Sequence, residues 1–358
     1  MAQPTLPRFA PPRSFYADLK ARTTAYFEQN NKTPTGGAAI WTKAVILIGA
    51  FVFFYTSLVF FRPESNWLAL FECLMLGGCI AAIGFNVMHD GSHGSFSTSK
   101  TLNGFAAFTL NMMGGSSFMW NAKHNVVHHT YTNIDGHDDD IDIRPFMRMT
   151  PEQPKHSLHK YQHFYFWFLY AMLYISWIFV MDYQKYFSKK IGDMPYKPMT
   201  TTDHIVFWGF KAINLVLYIG LPIYMVGFLP WLVGFAVTTM FAGLVTSLVF
   251  QLAHTVEDTA FPTPHAITNK LEDEWAIHQV RTTANFATDN RLISWLVGGL
   301  NFQVEHHLFP KISHVHYPAI SQILQQVCAE HNVPYINYPK MRYAVASHVS
   351  FLRQMGRA

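Results

Sequence analysis

Four stretches of the chain are apolar for long enough to cross a bilayer, and they fall into two pairs. Ala44–Phe61 and Trp67–Met88 are separated only by Arg62-Pro63-Glu64-Ser65-Asn66, and Ile205–Gly227 and Trp231–Ala253 only by Phe228-Leu229-Pro230. A hydrocarbon core of about 30 Å takes roughly 20 apolar residues as a helix, so each pair predicts a transmembrane hairpin. Polar sequence fills the rest. Residues 1–43 form an N-terminal segment with a short surface helix expected over Phe15–Asn30, residues 89–204 a long central region, and residues 254–358 a C-terminal region.

One further run, Phe164–Met181, is apolar and crowded with Phe, Tyr and Trp. Hydropathy alone would make it a fifth crossing. Charge argues otherwise: the region from His89 to Asp203 carries Lys100, Lys123, Arg144, Arg148, Lys155, Lys160, Lys185, Lys189, Lys190 and Lys197, while the hairpin turns carry almost none. The positive-inside rule puts that region and both termini in the cytoplasm. A crossing by Phe164–Met181 would put Lys185–Lys197 outside, so this run is expected to lie in the membrane interface. The expected fold is an all-α integral membrane protein: four transmembrane helices in two hairpins, under a cytoplasmic helical cap.

Composition agrees. Half of the 358 residues are hydrophobic and only 13% are charged, too apolar for an ordinary soluble domain. The net charge of +4 is scattered, with no basic face interleaved with aromatics, which argues against nucleic acid. The first apolar run begins only near Ala44, after a polar, Pro-containing stretch, so no signal peptide is expected. Three cysteines, Cys73, Cys79 and Cys328, lack C-x-x-C spacing and exclude thiol chemistry. Histidine, with 19 copies, is the unusual residue.

Four histidine groups stand out, the first and third at the expected cytoplasmic ends of the second and fourth spans, and with four crossings all are expected on one face of the membrane: His89-Asp90-Gly91-Ser92-His93, His124-Asn125-Val126-Val127-His128-His129, His254, and Gln303-Val304-Glu305-His306-His307. On a helix, residues i and i+4 share a face, so His89 with His93 and His124 with His128 can each grip one metal. Adjacent residues point about 100° apart, so a pair such as His128-His129 can serve two. Eight imidazoles exceed the three or four protein ligands of a zinc site, which makes two metals the economical reading. Imidazole suits zinc, copper, iron and nickel alike. Beside apolar helices, however, the chemistry to expect is O2-dependent attack on an acyl C–H bond, for which no side chain suffices and iron is the natural choice. Asp90, Gln251, Gln303 and Asn285 are candidates to support the ligands, and Trp120 and the Thr282–Phe286 stretch to wall an acyl channel. The acidic run Asp135-Gly136-His137-Asp138-Asp139-Asp140 lacks calcium-loop spacing and is expected to be solvated or to support the site. The other histidines, His278, His314 and His348 among them, are expected to be structural or solvated.

At these residues the sequence resembles the membrane-bound fatty acid desaturases, whose three histidine boxes match His89–His93, His124–His129 and Gln303–His307. The glutamine opening the third box is that of the front-end branch, which desaturates between an existing double bond and the carboxyl end. His124-Asn125 through Asn133, Trp275-Ala276-Ile277-His278-Gln279 through Thr288, and Gly298-Gly299-Leu300-Asn301 through Pro310 look like the cyanobacterial acyl-lipid Δ6 enzymes, and the likeness covers nearly the whole chain.

The resemblance implies two irons (Fe2+/Fe3+) held by His89, His93, His124, His128, His129, His254, His306 and His307. It also implies O2 as co-substrate and an acyl-lipid or acyl-CoA substrate. Many front-end relatives carry a cytochrome b5 domain with His-Pro-Gly-Gly. That motif is absent here, as are C-x-x-C-H, an iron–sulfur cysteine set and G-x-G. An external donor is therefore expected, ferredoxin by analogy with the cyanobacterial enzymes, with cytochrome b5 or another reductase as alternatives. A desaturase that makes the first double bond, a di-iron hydroxylase on the same boxes, and a His-rich membrane metal-binding protein stay open as other readings. A metalloprotease is excluded, because no H-E-x-x-H occurs.

Overall fold

The computed structural model describes residues 6–358 and is built almost wholly of helices. Helix α1 (Ser14–Gln29) leads into a hairpin of α2 (Gly37–Phe61) and α3 (Asn66–His93). The shorter α4 (Lys100–Met112) follows, then α5 (His159–Ser188) and a second hairpin, α6 (Thr201–Val226) and α7 (Phe228–His254). Five of these, α2, α3, α5, α6 and α7, are long and apolar enough to cross a membrane. Four were expected; the additional one is the aromatic run, whose helix extends past both ends of Phe164–Met181.

Local chemistry sets the turns. Arg62 takes a left-handed conformation (φ +54°) and stops α2, and the Ser65 hydroxyl accepts from the Leu68 amide to start α3. Gly227 (φ +89°) separates α6 from α7. Small residues bring the long helices close: a Cβ on Gly77 would fall 2.5 Å from the Thr238 carbonyl of α7, and one on Gly243 would collide with the Ala171 carbonyl of α5.

Helix α4 folds back along the end of α3, with Gly91 packed on Ala106 and Ala107. Its C-terminal carbonyls end among apolar helices, where unpaired acceptors would be costly. Side chains of α5 and α6 supply the donors. Asn214 reaches the Asn111 carbonyl (2.8 Å), Tyr218 that of Met112 (2.8 Å), Tyr174 that of Met113, and Lys211 that of Gly114 (2.7 Å). Lys211 is also paired with Asp182 at 2.8 Å. The chain then returns through Ser117–Trp120 and a π-helix, Asn121–His128, towards the end of α3.

The far end of α5 is tied directly to the acidic loop 135–139, and its start only through the segment 148–153. At its start, Gln162 exchanges hydrogen bonds with the Arg148 backbone, and Gln153 nearby donates to Asp135 at 2.8 Å. At its far end Lys185 pairs with Asp139 at 2.7 Å. The hairpin of β1 (Lys190–Ile191) and β2 (Met194–Pro195) that follows packs its turn, Gly192, on the Gly136 carbonyl.

The C-terminal third adds α8 (Trp275–Arg281), β3 (Ala284–Phe286), α9 (Gln303–Leu308), α10 (Tyr317–Glu330), β4 (Ile336–Tyr338) and α11 (Met341–Met355). Strands β3 and β4 pair in parallel. Phe15 and Leu19 of α1, Val280 of α8, Val304 and Leu308 of α9, and Leu324 and Val327 of α10 form one buried core. That core holds the third histidine group against the ends of α3 and α7.

Candidate metal centre

The histidines converge from four stretches of chain into two facing groups. His89 and His93 at the end of α3, His124 in the π-helix and His306 on α9 bring one nitrogen each within 4.8 Å of one another. His128, His254 at the end of α7, and His307 do the same. His129 lies between, its ring centroid 4.6 Å from that of His306 and 4.5 Å from that of His307. Its Nε2 stands 3.2 Å from the Nε2 of His124. All eight expected ligands are thus brought together. Seven are buried residues, and the Nε2 of His93, on a partly covered residue, is itself buried.

Adjacent histidines part as their spacing predicts, with His306 in the first group and His307 in the second. His124 and His128 differ from the expectation. They meet in a trio with Asp140, but in the all-histidine groups His124 joins the first and His128 the second. The π-helical turn that carries them has a different angular spacing from the α-helix assumed, and such turns recur at functional sites. A second π-turn, Gly84–Met88, immediately precedes His89.

Four of the rings share one arrangement, with Nδ1 anchored outward and Nε2 left without a hydrogen-bond partner. His128 Nδ1 meets both oxygens of Asp138 at 3.1 Å, and His254 Nδ1 meets the Thr282 carbonyl at 3.2 Å. His307 Nδ1 meets Gln279 Oε1 at 2.8 Å, and His306 Nδ1 the Tyr317 hydroxyl at 3.2 Å. Outer hydrogen bonds of this kind select the tautomer and aim the ring of a metal-binding histidine. The anchors are themselves held: Asp138 accepts from the Asn133 and Asp140 amides, and Gln279 Oε1 accepts from Thr132.

Electrostatics favours neutral imidazoles. Burial first, then the surrounding rings, hold His124, His129, His306 and His307 well below the ordinary histidine range. Neutral imidazole is the metal-binding form. His128 stands above that range: burial alone would lower it, but the Asp138 carboxylate more than offsets this. Unpartnered buried nitrogens on His89, His93, His128, His129, His254, His306 and His307 are what a nitrogen-rich pair of transition-metal ions would satisfy. The residues fit such a pair.

Around the rings, Trp120 stacks on His124 with centroids 4.3 Å apart, and Asp90 Oδ1 stands 3.8 Å from His89 Nδ1. Asn285 is a brace, donating to Glu305 Oε2 (2.7 Å) and accepting from the Val304 amide (2.9 Å). Glu305, whose carboxyl burial pushes up, also accepts from Tyr335 at 2.8 Å. Thr282–Phe286 is fully buried beside the second group, and Gln303 is buried at the start of α9. Gln251 donates instead to the Asp140 carbonyl and ties α7 to the acidic turn. Sequence reasoning flagged Asp138 only as part of an acidic run and missed Gln279 and Tyr317. Gln279 lies 28 residues from His307, and no local pattern links the two. A cavity of about 700 Å3 runs between the hairpins from Ile80 and Met113 to Arg62, but none of the eight histidines lines it.

The model of the family described as "Fatty acid desaturase" matches residues 65–339, a span that includes every one of these histidines. The chain belongs to the fatty acid desaturase family. This desaturase is 38% identical over 357 residues to the sn-1 linoleoyl-lipid 6-desaturase of Synechocystis sp., covering 98% of each chain. It is also 38% identical over 343 residues to the protein of the same name from Arthrospira platensis, covering 95% of this chain and 92% of that one. An acyl-lipid (8-3)-desaturase of Physcomitrium patens is 35% identical over 348 residues, or 96% of this chain and 72% of the relative.

Proposed function

We propose that this desaturase inserts a double bond at the front end of an unsaturated, lipid-linked acyl chain, using two irons, O2 and electrons from a separate carrier. The observation that carries the reading is the pair of facing imidazole groups with unpartnered inward nitrogens. It stands in a chain similar over nearly its full length to two linoleoyl-lipid 6-desaturases. His89, His93, His124 and His306 would hold one iron and His128, His254 and His307 the other, with His129 between them. Bound there, the irons would supply the activation of O2 that no side chain provides.

The chain's own residues do the rest. Asp138, Gln279, Tyr317 and the Thr282 carbonyl fix the ring orientations before any metal arrives, so that little reorganisation is needed. Trp120, stacked on His124 and edge-on to His89, presents an apolar wall against which a methylene pair can be held still.

We assign four crossings, with the metal centre on the cytoplasmic face and α5 on that same side. The Lys185–Asp139 pair, which ties the far end of α5 to the loop 135–139, supports this, as does the positive-inside distribution of lysines. A ferredoxin is the favoured donor, meeting the basic cytoplasmic face. The function is tested by expressing the chain in a host of defined lipids and locating new double bonds by mass spectrometry. A new bond on the carboxyl side of an existing one supports the reading. A first double bond in saturated chains, or a hydroxylated product, contradicts it.

A further inference from the structure

Lys43 is a charged residue on an apolar helix and is almost wholly buried, 6% exposed. A lysine near a helix end ordinarily snorkels its ammonium to water. This one turns inward. Its Nζ lies 2.9 Å from Nε2 of His314 and 5.2 Å from the centre of the Trp295 ring. His314 in turn places Nδ1 3.0 Å from Oδ2 of Asp90, and the Ser313 hydroxyl donates to the same oxygen at 2.9 Å. Asp90 Oδ1 faces Nδ1 of His89 at 3.8 Å. Lys43, His314, Asp90 and His89 are all buried, and the row joins α2, the turn after α9 and the end of α3.

The donor rules give the row a direction. An ammonium donates and does not accept, so His314 Nε2 must be its acceptor. A neutral imidazole carries one N–H, so the hydrogen sits on His314 Nδ1 and is given to Asp90 Oδ2. With two donors on Oδ2, the charge on Oδ1 faces His89 Nδ1 across 3.8 Å, beyond hydrogen-bond reach, and that nitrogen has no hydrogen-bond partner among the described residues. The negative oxygen favours the tautomer of His89 with its hydrogen on Nδ1, which leaves Nε2 for the group of His93, His124 and His306. Asp138 holds His128 by direct contacts at 3.1 Å; Asp90 acts on His89 by its charge across 3.8 Å, and is itself oriented by a histidine and a lysine.

The surrounding backbone keeps the row in register. The Ser313 amide donates to the Pro34 carbonyl at 2.8 Å, His316 Nε2 meets the Thr35 carbonyl at 3.3 Å, and Gly36 packs so closely that a Cβ would lie 2.7 Å from Ser313 Oγ. The segment before α2 is therefore stapled to the turn that carries His314. A lysine needed only for a membrane surface requires none of this.

We infer that Lys43 and His314 are positioning residues for the metal centre, acting through Asp90 to set the tautomer and direction of His89. The inference rests on reading His89 as an iron ligand. It predicts that the iron of the first group depends on a side chain of the first membrane helix that no histidine box contains.

The test compares purified wild type, Lys43→Met, Lys43→Arg and His314→Gln, each loaded with 57Fe(II) without oxygen. Iron release to a competing chelator, Mössbauer spectra and steady-state kinetics are then measured. Loss of an outer support to a metal-binding histidine weakens metal binding by roughly 10- to 100-fold. Lys43→Met and His314→Gln should release one iron at least about tenfold faster than wild type, with one of two Mössbauer signals altered. Their kcat should fall with KM unchanged, and Lys43→Arg should restore the wild-type signal. His314→Gln decides the matter if Lys43→Met fails to fold. Release and spectra like wild type in the folded variants would overturn the inference alone. Wild-type protein that holds no iron would instead defeat the reading of the metal centre, and this inference with it.

Discussion

The carboxylate of Asp138 faces Nδ1 of His128 with both oxygens at 3.1 Å, and the Nε2 of the same ring points unpartnered into the histidine cluster. The two residues are 10 apart in sequence and both are buried, and the Asp138 carboxylate is held by the Asn133 and Asp140 amides. This pairing raises the basicity of the ring and commits it to one tautomer.

Replacing Asp138 with Asn keeps the size and removes the charge. Iron affinity should fall by roughly 10- to 100-fold and kcat with it, while KM for the acyl substrate stays near the wild-type value. Chelator competition and turnover measured on the same preparation check this. An unchanged affinity would make Asp138 a structural residue only.

Acidification should destabilise the metal-free protein. His124, His129, His306 and His307 are held below the ordinary value of 6.5, so the unfolded chain takes up protons first as pH falls. Their contribution is fully present above about pH 6.5 and is lost as pH drops below it. His128, raised by Asp138, acts in the opposite sense: its contribution is present below the ordinary value and is lost as pH rises through its folded one. Four rings outweigh one, so the melting temperature of the metal-free protein should fall from about pH 7 towards about pH 5. A flat or rising profile would mean that the cluster is solvated.

Topology is open to cysteine labelling from outside the membrane. The native Cys73, Cys79 and Cys328 are buried, so the background is low. Cysteines placed at Ser65 and Phe228 should be labelled and one at Lys189 should not. Labelling at Lys189 would turn α5 into a fifth crossing.

Much of this molecule is legible in its sequence. The hairpins are, because apolar length and the turns Arg62–Asn66 and Phe228–Pro230 are local signals. So are the four histidine groups, as local motifs, although the folding that gathers them into one cluster is tertiary. The aromatic run is ambiguous because hydropathy reads only length: its helix has the apolarity of a span, while the Lys185–Asp139 pair that ties its far end to the acidic loop is tertiary. The division of His124 from His128 depends on a π-turn, which the i, i+4 rule does not contain. His314 reads as a lone histidine in the sequence because its partner Lys43 lies 271 residues away. Buried hydrogen bonds between such distant residues leave no periodicity to read.

Iron content tests the central claim most directly. Protein purified without oxygen, with metals and protein quantified on the same sample, should hold two irons per chain, as two facing groups of imidazoles require. A single zinc per chain, with desaturation intact, would contradict it.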